Sequence, residues 1–221
     1  MASDVRERIL AGDLAPGGPL RESLLAGEMA VSRNTLREGL RLLVSEGLVN
    51  QELYKGAVVA TISADQVRDI YRARRILEPQ AVAASALHPD VALIPLEAAV
   101  LDGESAVAQR RWRDVGTASL RFHQALVSLL ASPLCDEFYR RLSAQLRLAW
   151  GEARDEEEFQ NAWPERDRDL YELLRQGRVR HAQGVLAVYL DDAERQVLAA
   201  LRAAQAGTKA SGRSGFRAEL S

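Results

Sequence analysis

Apolar residues recur at three- and four-residue spacing through most of this 221-residue chain, the signature of helices that bury one face. Val5, Ile9 and Leu10 outline a short first helix that stops at Gly12. Residues 13–19, Asp-Leu-Ala-Pro-Gly-Gly-Pro, form a turn by composition, since proline fixes φ and glycine supplies positive φ. A second helix is expected over residues 21–29 with Leu24 and Leu25 inward. After a brief turn a third opens at Ser32, a residue type favoured as an N-cap, and runs inward along Leu36, Leu40 and Leu43 to Gly47. Residues 48–51 and 57–61 then read as a β-hairpin around Tyr54-Lys55-Gly56. Two short helices joined by a tight turn and followed by a hairpin make a winged helix-turn-helix over residues 1–62.

The rest of the pattern is helical only. Ser63-Ala64-Asp65 caps a long helix to about Leu87 that carries Val67, Ile70, Tyr71, Arg74, Leu77 and Ala81, and His88-Pro89-Asp90 breaks it. Further helices are expected over 90–109, 112–130, 134–153, 163–176 and 179–204, with Ser132-Pro133 and Gly177 as stops. Asp155-Glu156-Glu157-Glu158 reads as a solvated acidic face. Residues 206–221 are rich in Gly, Ser and Lys and are expected to be disordered. The predicted fold is mostly α: a winged domain (1–62), an all-helical antiparallel bundle for ligand binding and dimerisation (63–205), and a tail.

Third-helix chemistry points to nucleic acid. Arg33, Asn34 and Arg37 lie opposite the buried stripe, and Thr35 is at the leading end. Arg grips guanine at two atoms, Asn does the same to adenine, and helix N-terminal amides attract phosphate. Arg21 at the start of the second helix and Lys55 beside Gly56 on the hairpin add backbone contacts. The overall charge is −2, with 29 basic against 31 acidic residues. Its first sixty residues are no more basic, so random DNA is bound weakly, and two copies on two half-sites are needed to repair this. A homodimer on a near-palindromic operator follows. The alternative is a protein-interaction module that uses the winged domain without DNA and dimerises through the bundle.

Enzyme chemistry finds no support: there is no Gly-rich phosphate loop, no Cys-pair metal spacing and no G-x-S-x-G elbow. The single Cys135 excludes an internal disulfide framework. No run of eighteen apolar residues and no N-terminal h-region is present, so the expected location is cytoplasmic, away from membranes.

Ile9, Gly12, Leu14, Pro16-Gly17, Leu20, Glu22, Ala26, Val31-Ser32-Arg33, Leu36-Arg37-Glu38, Leu40, Leu43, Glu46-Gly47-Leu48-Val49 and Gly56 together resemble the GntR family of bacterial transcription regulators. The resemblance implies DNA contact at Ser32, Arg33, Asn34, Thr35, Arg37 and Gly56. Two positions depart from the family pattern: Ser23 stands where Arg is frequent, and Ala30 where Gly is usual. The second half is similar to the all-helical FCD domain of the FadR branch, through residues 74–79, Phe122-His123-Gln124-Ala125-Leu126, Pro133-Leu134, residues 174–177 and Tyr189-Leu190. That likeness implies a small-molecule effector, often an organic acid beside a divalent metal, in the centre of the bundle. Of the family's metal ligands only His123 is retained, the others falling on Ser119, Asp167 and Tyr189. One His and one carboxylate are too few for a closed site, so neither a metal nor another cofactor is expected. Arg74, His123, Arg147, Asp167 and Tyr189 are the candidate effector residues. For Arg74 two readings stand: a ligand carboxylate, or an internal pair with Glu78 or Asp167. For His123, ligand contact stands beside a satisfied core histidine.

Overall fold

The computed structural model describes residues 1–87, 90–151, 153 and 155–218, and only the backbone of residues 90 and 207–218. The head begins with α1 (Ala2–Leu10), α2 (Glu22–Glu28) and α3 (Arg33–Ser45), followed by β1 (Val49–Glu52) and β2 (Gly56–Val59). Ser32 caps α3 by accepting from the Thr35 amide at 3.1 Å. Gly47, at φ +70°, ends it, and the chain turns back as the Leu48 amide reaches the Leu43 carbonyl at 2.9 Å. The strands pair antiparallel from Val49 opposite Val59 to Glu52 opposite Gly56; the first is shifted by one residue from the expected limits, and the second starts one residue earlier and ends two earlier. On the other edge of β2 the turn segment adds a bridge, Pro19 to Val58. Leu25 and Ala26 are buried but Leu24 is 55% exposed, against expectation. A seven-residue helix has room for one narrow inward face, and Leu25-Ala26 occupy it.

Ser63 and Gln66 form a reciprocal capping box at the start of α4 (Ala64–Ser85). The predicted helix over 90–109 is divided: a 3-10 turn (Asp90–Leu93) leads into α5 (Ile94–Ala108), which starts where Pro95 suits the first turn of a helix. Then follow α6 (Trp112–Ser128), α7 (Pro133–Trp150), α8 (Glu156–Gln160), α9 (Trp163–Arg175) and α10 (Val179–Ala218). The acidic run is more than a solvated face. Asp155 caps α8 by accepting from the Glu158 amide at 3.0 Å, and the helix buries Phe159 and Gln160. The last helix extends past the expected end near Ala204, so residues 206–218 are helical where disorder was expected; no proline interrupts them. The His88-Pro89 break and residues 219–221 lie outside the described residues.

α5 packs along α6 and α4 along α10. The head is docked on this bundle rather than joined by its junction alone. α1 lies on α7, and the buried apolar residues run without a break from Val5 and Ile9 to Leu142 and Leu146. Polar ties reinforce the contact. Gln145 on α7 donates to the Glu46 carbonyl at 2.7 Å, and Thr117 on α6 donates to the Leu10 carbonyl at 3.3 Å. Within the head Arg6 forks onto the Glu46 carboxylate at 3.1 and 2.7 Å, and its Nη2 lies 3.8 Å from Glu137 of α7.

Candidate DNA-contacting face and effector cavity

The front of α3 is open. Ser32, Arg33, Asn34, Thr35 and Arg37 are all exposed, and the stripe Leu36, Leu40, Leu43 is fully buried. Arg33 and Asn34 have no side-chain partner among the described residues, as a groove-reading pair requires. Thr35 is tied to the cap, its hydroxyl 2.8 Å from that of Ser32. Arg37 donates to Glu22 at 2.9 Å and Lys55 lies 2.8 Å from Glu52, so each of these cations is already engaged by a carboxylate. Arg21, at the N-cap of α2, is exposed. At the wing tip Gly56 adopts φ +76°, a conformation that favours glycine. Beside it Tyr54, at φ +69°, is 98% exposed; the sequence reading passed over this aromatic wing residue.

Inside the bundle, five helices (α4, α6, α7, α9 and α10) bring a polar cluster to one place. Glu78 of α4 is its hub. It is fully buried and accepts from Arg74 Nε at 2.6 Å and Tyr139 Oη at 2.6 Å, and pairs with His123 Nδ1 at 2.8 Å. Burial works to raise the Glu78 pKa, but Arg74 and His123 hold it down to about 2. On the far side of the imidazole, Nε2 lies 3.7 Å from Asp167 Oδ1, and Ser119 Oγ lies 3.1 Å from Tyr189 Oη. Burial pushes Asp167 up to about 6, against the pull of His123 and the two hydroxyls. Next to this cluster is a narrow cavity of about 10 Å³, room for about one water, walled by Trp150, Phe159 and Trp163 on its apolar side. Tyr71 Oη, His123 Nε2, Trp150 Nε1 and Gln196 Oε1 belong to residues lining it, and all four atoms are buried without a hydrogen-bond partner. Orphaned buried polar atoms are costly unless water or a ligand reaches them, so these four are the atoms that a guest in the cavity would meet.

A family model of bacterial regulatory proteins, gntR family, matches residues 1–59, and the FCD domain model matches residues 69–192. The chain belongs to the GntR family. It is 32% identical to a GntR regulator structure from Rhodococcus sp. RHA1, covering 90% of this chain and 95% of that one with a TM-score of 0.82. It is 32% identical over 160 residues to an uncharacterized HTH-type transcriptional regulator, BphR, of Paraburkholderia xenovorans, a match spanning 63% of this chain and 64% of that protein. To the galactonate operon transcriptional repressor of Escherichia coli it is 25% identical over 202 residues, 80% of this chain and 84% of the repressor. The chain therefore spans a little under two thirds of BphR and only 32% of the gluconate operon repressor of Bacillus licheniformis. The family and these relatives are transcription regulators rather than enzymes, and no helix among the described residues is long and apolar enough to cross a membrane.

In this GntR regulator the four positions of the family's metal site do meet, but the donors do not fit a divalent ion. One imidazole nitrogen and one carboxylate oxygen are free to face it, and the other two positions are the neutral hydroxyls of Ser119 and Tyr189. Zinc asks for about four ligands. Among the described residues no group of three His, Cys, Asp or Glu side chains is placed to hold a metal.

Of the proposed effector residues, Arg74, His123, Asp167 and Tyr189 come together, and Arg147 does not. It faces the head instead, beside residues 11–16, because α7 crosses the bundle at the docking surface. Arg74 takes the internal pair with Glu78 among its two readings. Glu78 entered the sequence reading only as that partner, and Tyr139 and Tyr71 not as site residues at all. The signal for Glu78 was present: a glutamate one helical turn after Arg74 on the buried face of α4.

Proposed function

We propose that this chain is a ligand-responsive DNA-binding regulator that grips a near-palindromic operator as a homodimer and is modulated by a small organic acid held in the bundle. One observation carries the DNA half: Arg33 and Asn34 stand exposed and unpartnered at the capped front of a helix whose opposite stripe is fully buried. Arg37 joins them in reading bases, while Arg21, Ser32, Thr35, Lys55 and Gly56 position that helix and the wing on the phosphates. The near-neutral head binds tightly only as a pair, because the second half-site contact is then effectively intramolecular. Its place of work is the cytoplasm, where the operator is.

The effector half rests on the orphaned donors and acceptors around the cavity. Tyr71, Trp150 and His123 offer hydrogen bonds to an acid, and Gln196 accepts from its hydroxyl or protonated group. Arg74 acts through Glu78, fixing the side of His123 that faces away from the effector. Effector binding must favour one placement of the two heads over another, or it regulates nothing.

The test is binding to DNA upstream of the chain's own gene. Arg33→Ala and Arg37→Ala should each weaken specific binding by about 1–3 kcal/mol if they read bases. An unchanged footprint in both variants, or no salt-dependent binding by the parent, returns the winged domain to the protein-interaction reading.

A further inference from the structure

Arg147 is 7% exposed, and among the described residues no carboxylate lies within ion-pairing distance of it. Its Nη2 reaches two backbone carbonyls, Ala11 at 3.4 Å and Arg113 at 3.3 Å, both long for a guanidinium bond. The group is wedged between head and bundle. A Cβ at Gly12 of the head would run into it, and one at Gly116 of α6 would lie 2.6 Å from Nη1. Its plane lies over the Trp150 ring, 6.0 Å from the centroid. A buried cation needs a partner, and among the described residues this one bonds only to backbone dipoles, with Glu156 and Asp13 acting on it from a distance.

The space beside it has the room. A cleft with about 580 Å³ of empty space, part of it open to solvent, runs between residues 12–16 of the head and α7–α8 of the bundle. Gln160, 3% exposed, lines this cleft with its Oε1 buried and unpartnered. Its amide and the guanidinium both border Gly116, where the same Cβ would be 2.7 Å from Nε2. At the mouth Arg113 and Glu156, each half exposed, face each other at 3.8 Å. Buried lining charge is therefore positive, and the flanking amide offers both an acceptor and donors.

We propose that this cleft is a second ligand site, separate from the effector cavity, that takes a small oxyanion carrying an O–H group: hydrogen phosphate or a short hydroxycarboxylate. The anionic oxygens meet Arg147, and the hydroxyl donates to Gln160 Oε1. Burial lowers the Arg147 pKa to about 10 against the pull of Glu156, as befits a cation short of anionic partners. An anion there would tie the head loop to the bundle. It would also press on Trp150 and Phe159, which line both this cleft and the effector cavity.

Thermal unfolding of the full chain tests this with three probes: inorganic phosphate, glycolate and sulfate, each against chloride at equal ionic strength. Phosphate or glycolate should raise Tm saturably by several degrees, with sulfate weaker because it lacks the hydroxyl at neutral pH, and the stronger of the two identifies the source. Arg147→Met should abolish the rise. If that variant does not fold, Gln160→Leu carries the test and should raise the apparent Kd roughly tenfold, the loss of one buried hydrogen bond to a charged ligand. No saturable shift in the parent, or the same shift in the variants that fold, overturns the proposal. The outcome is independent of the effector cavity, which neither variant touches through Arg74, His123 or Asp167.

Discussion

Ala30 holds φ at +51° in the turn between α2 and α3, the position at which the family usually places glycine. A left-handed conformation costs an L-residue roughly 1–2 kcal/mol, of which the greater chain entropy of an unfolded glycine would return about half. Ala30→Gly should therefore stabilise the chain by about 0.5–1 kcal/mol in urea unfolding, with the m-value unchanged. A destabilised variant would mean that the turn is not strained. Asp167 is the opposite case, a side chain whose burial works against the fold. Its pKa rises from 3.8 to about 6 on folding, so the stability it contributes is complete below pH 3.8 and is lost as pH climbs through about 6. Glu78, depressed to about 2, loses its contribution only below its ordinary 4.5, which leaves the interval from 4.5 to 6 to Asp167. Asp167→Asn should flatten stability across that interval and gain about 1–3 kcal/mol at pH 7. Denaturant unfolding at a series of pH values checks it, and a variant with the parent's slope between pH 4.5 and 6 would clear Asp167 of the role.

Arg37 of α3 and Glu22 of α2 form an exposed ion pair between the two helices that carry the proposed DNA face. Such pairs contribute little, about 0–1 kcal/mol, yet Arg37 must abandon this one to reach a phosphate or a base. Glu22→Gln should tighten operator binding about two- to fivefold while leaving Tm within a degree or so, and fluorescence anisotropy at fixed salt measures it. Weaker binding would mean that Glu22 holds Arg37 in the orientation DNA needs. What the sequence disclosed at this level follows the physics of each element. Ser32, Leu36, Leu40 and Leu43 announced α3 because a hydroxyl cap and a wide apolar stripe are local signals. Leu24 misled because an isolated Leu-Leu pair does not say which member faces inward. The division at Pro95 and the short α8 were hidden by an uninterrupted apolar pattern and by a run of acids whose first member is a cap. Arg147 was assigned to the wrong cavity for a different reason: periodicity shows that it faces inward on α7, but only the docking of the head decides what lies opposite.

Across the chain, that docking makes head and bundle one folding unit rather than two beads on a junction. Ile9 of α1 is fully buried in the apolar core that continues into α7, while the polar ties from Gln145 and Thr117 end on backbone carbonyls at the ends of α3 and α1. The proposed regulation depends on this coupling, because a guest in the bundle could reposition the heads only through contacts that resist their free rotation. The placement of the tryptophans turns the idea into a measurement. Trp112 and Trp150 line the cleft against the head, so in a Trp112→Phe/Trp150→Phe background the remaining Trp163 of α9 reports the bundle. Ile9→Ala removes buried atoms from the head and should cost about 2–5 kcal/mol. If the two parts unfold together, the tryptophan-detected Tm falls with it, by at least roughly 5 °C for a chain of this size, in one transition that coincides with the loss of helical circular dichroism. Should the head melt early in the dichroism while the tryptophan transition stays at the parent's temperature, the head would be an independent domain. Its placement would then have to be set by DNA and by a second protomer alone.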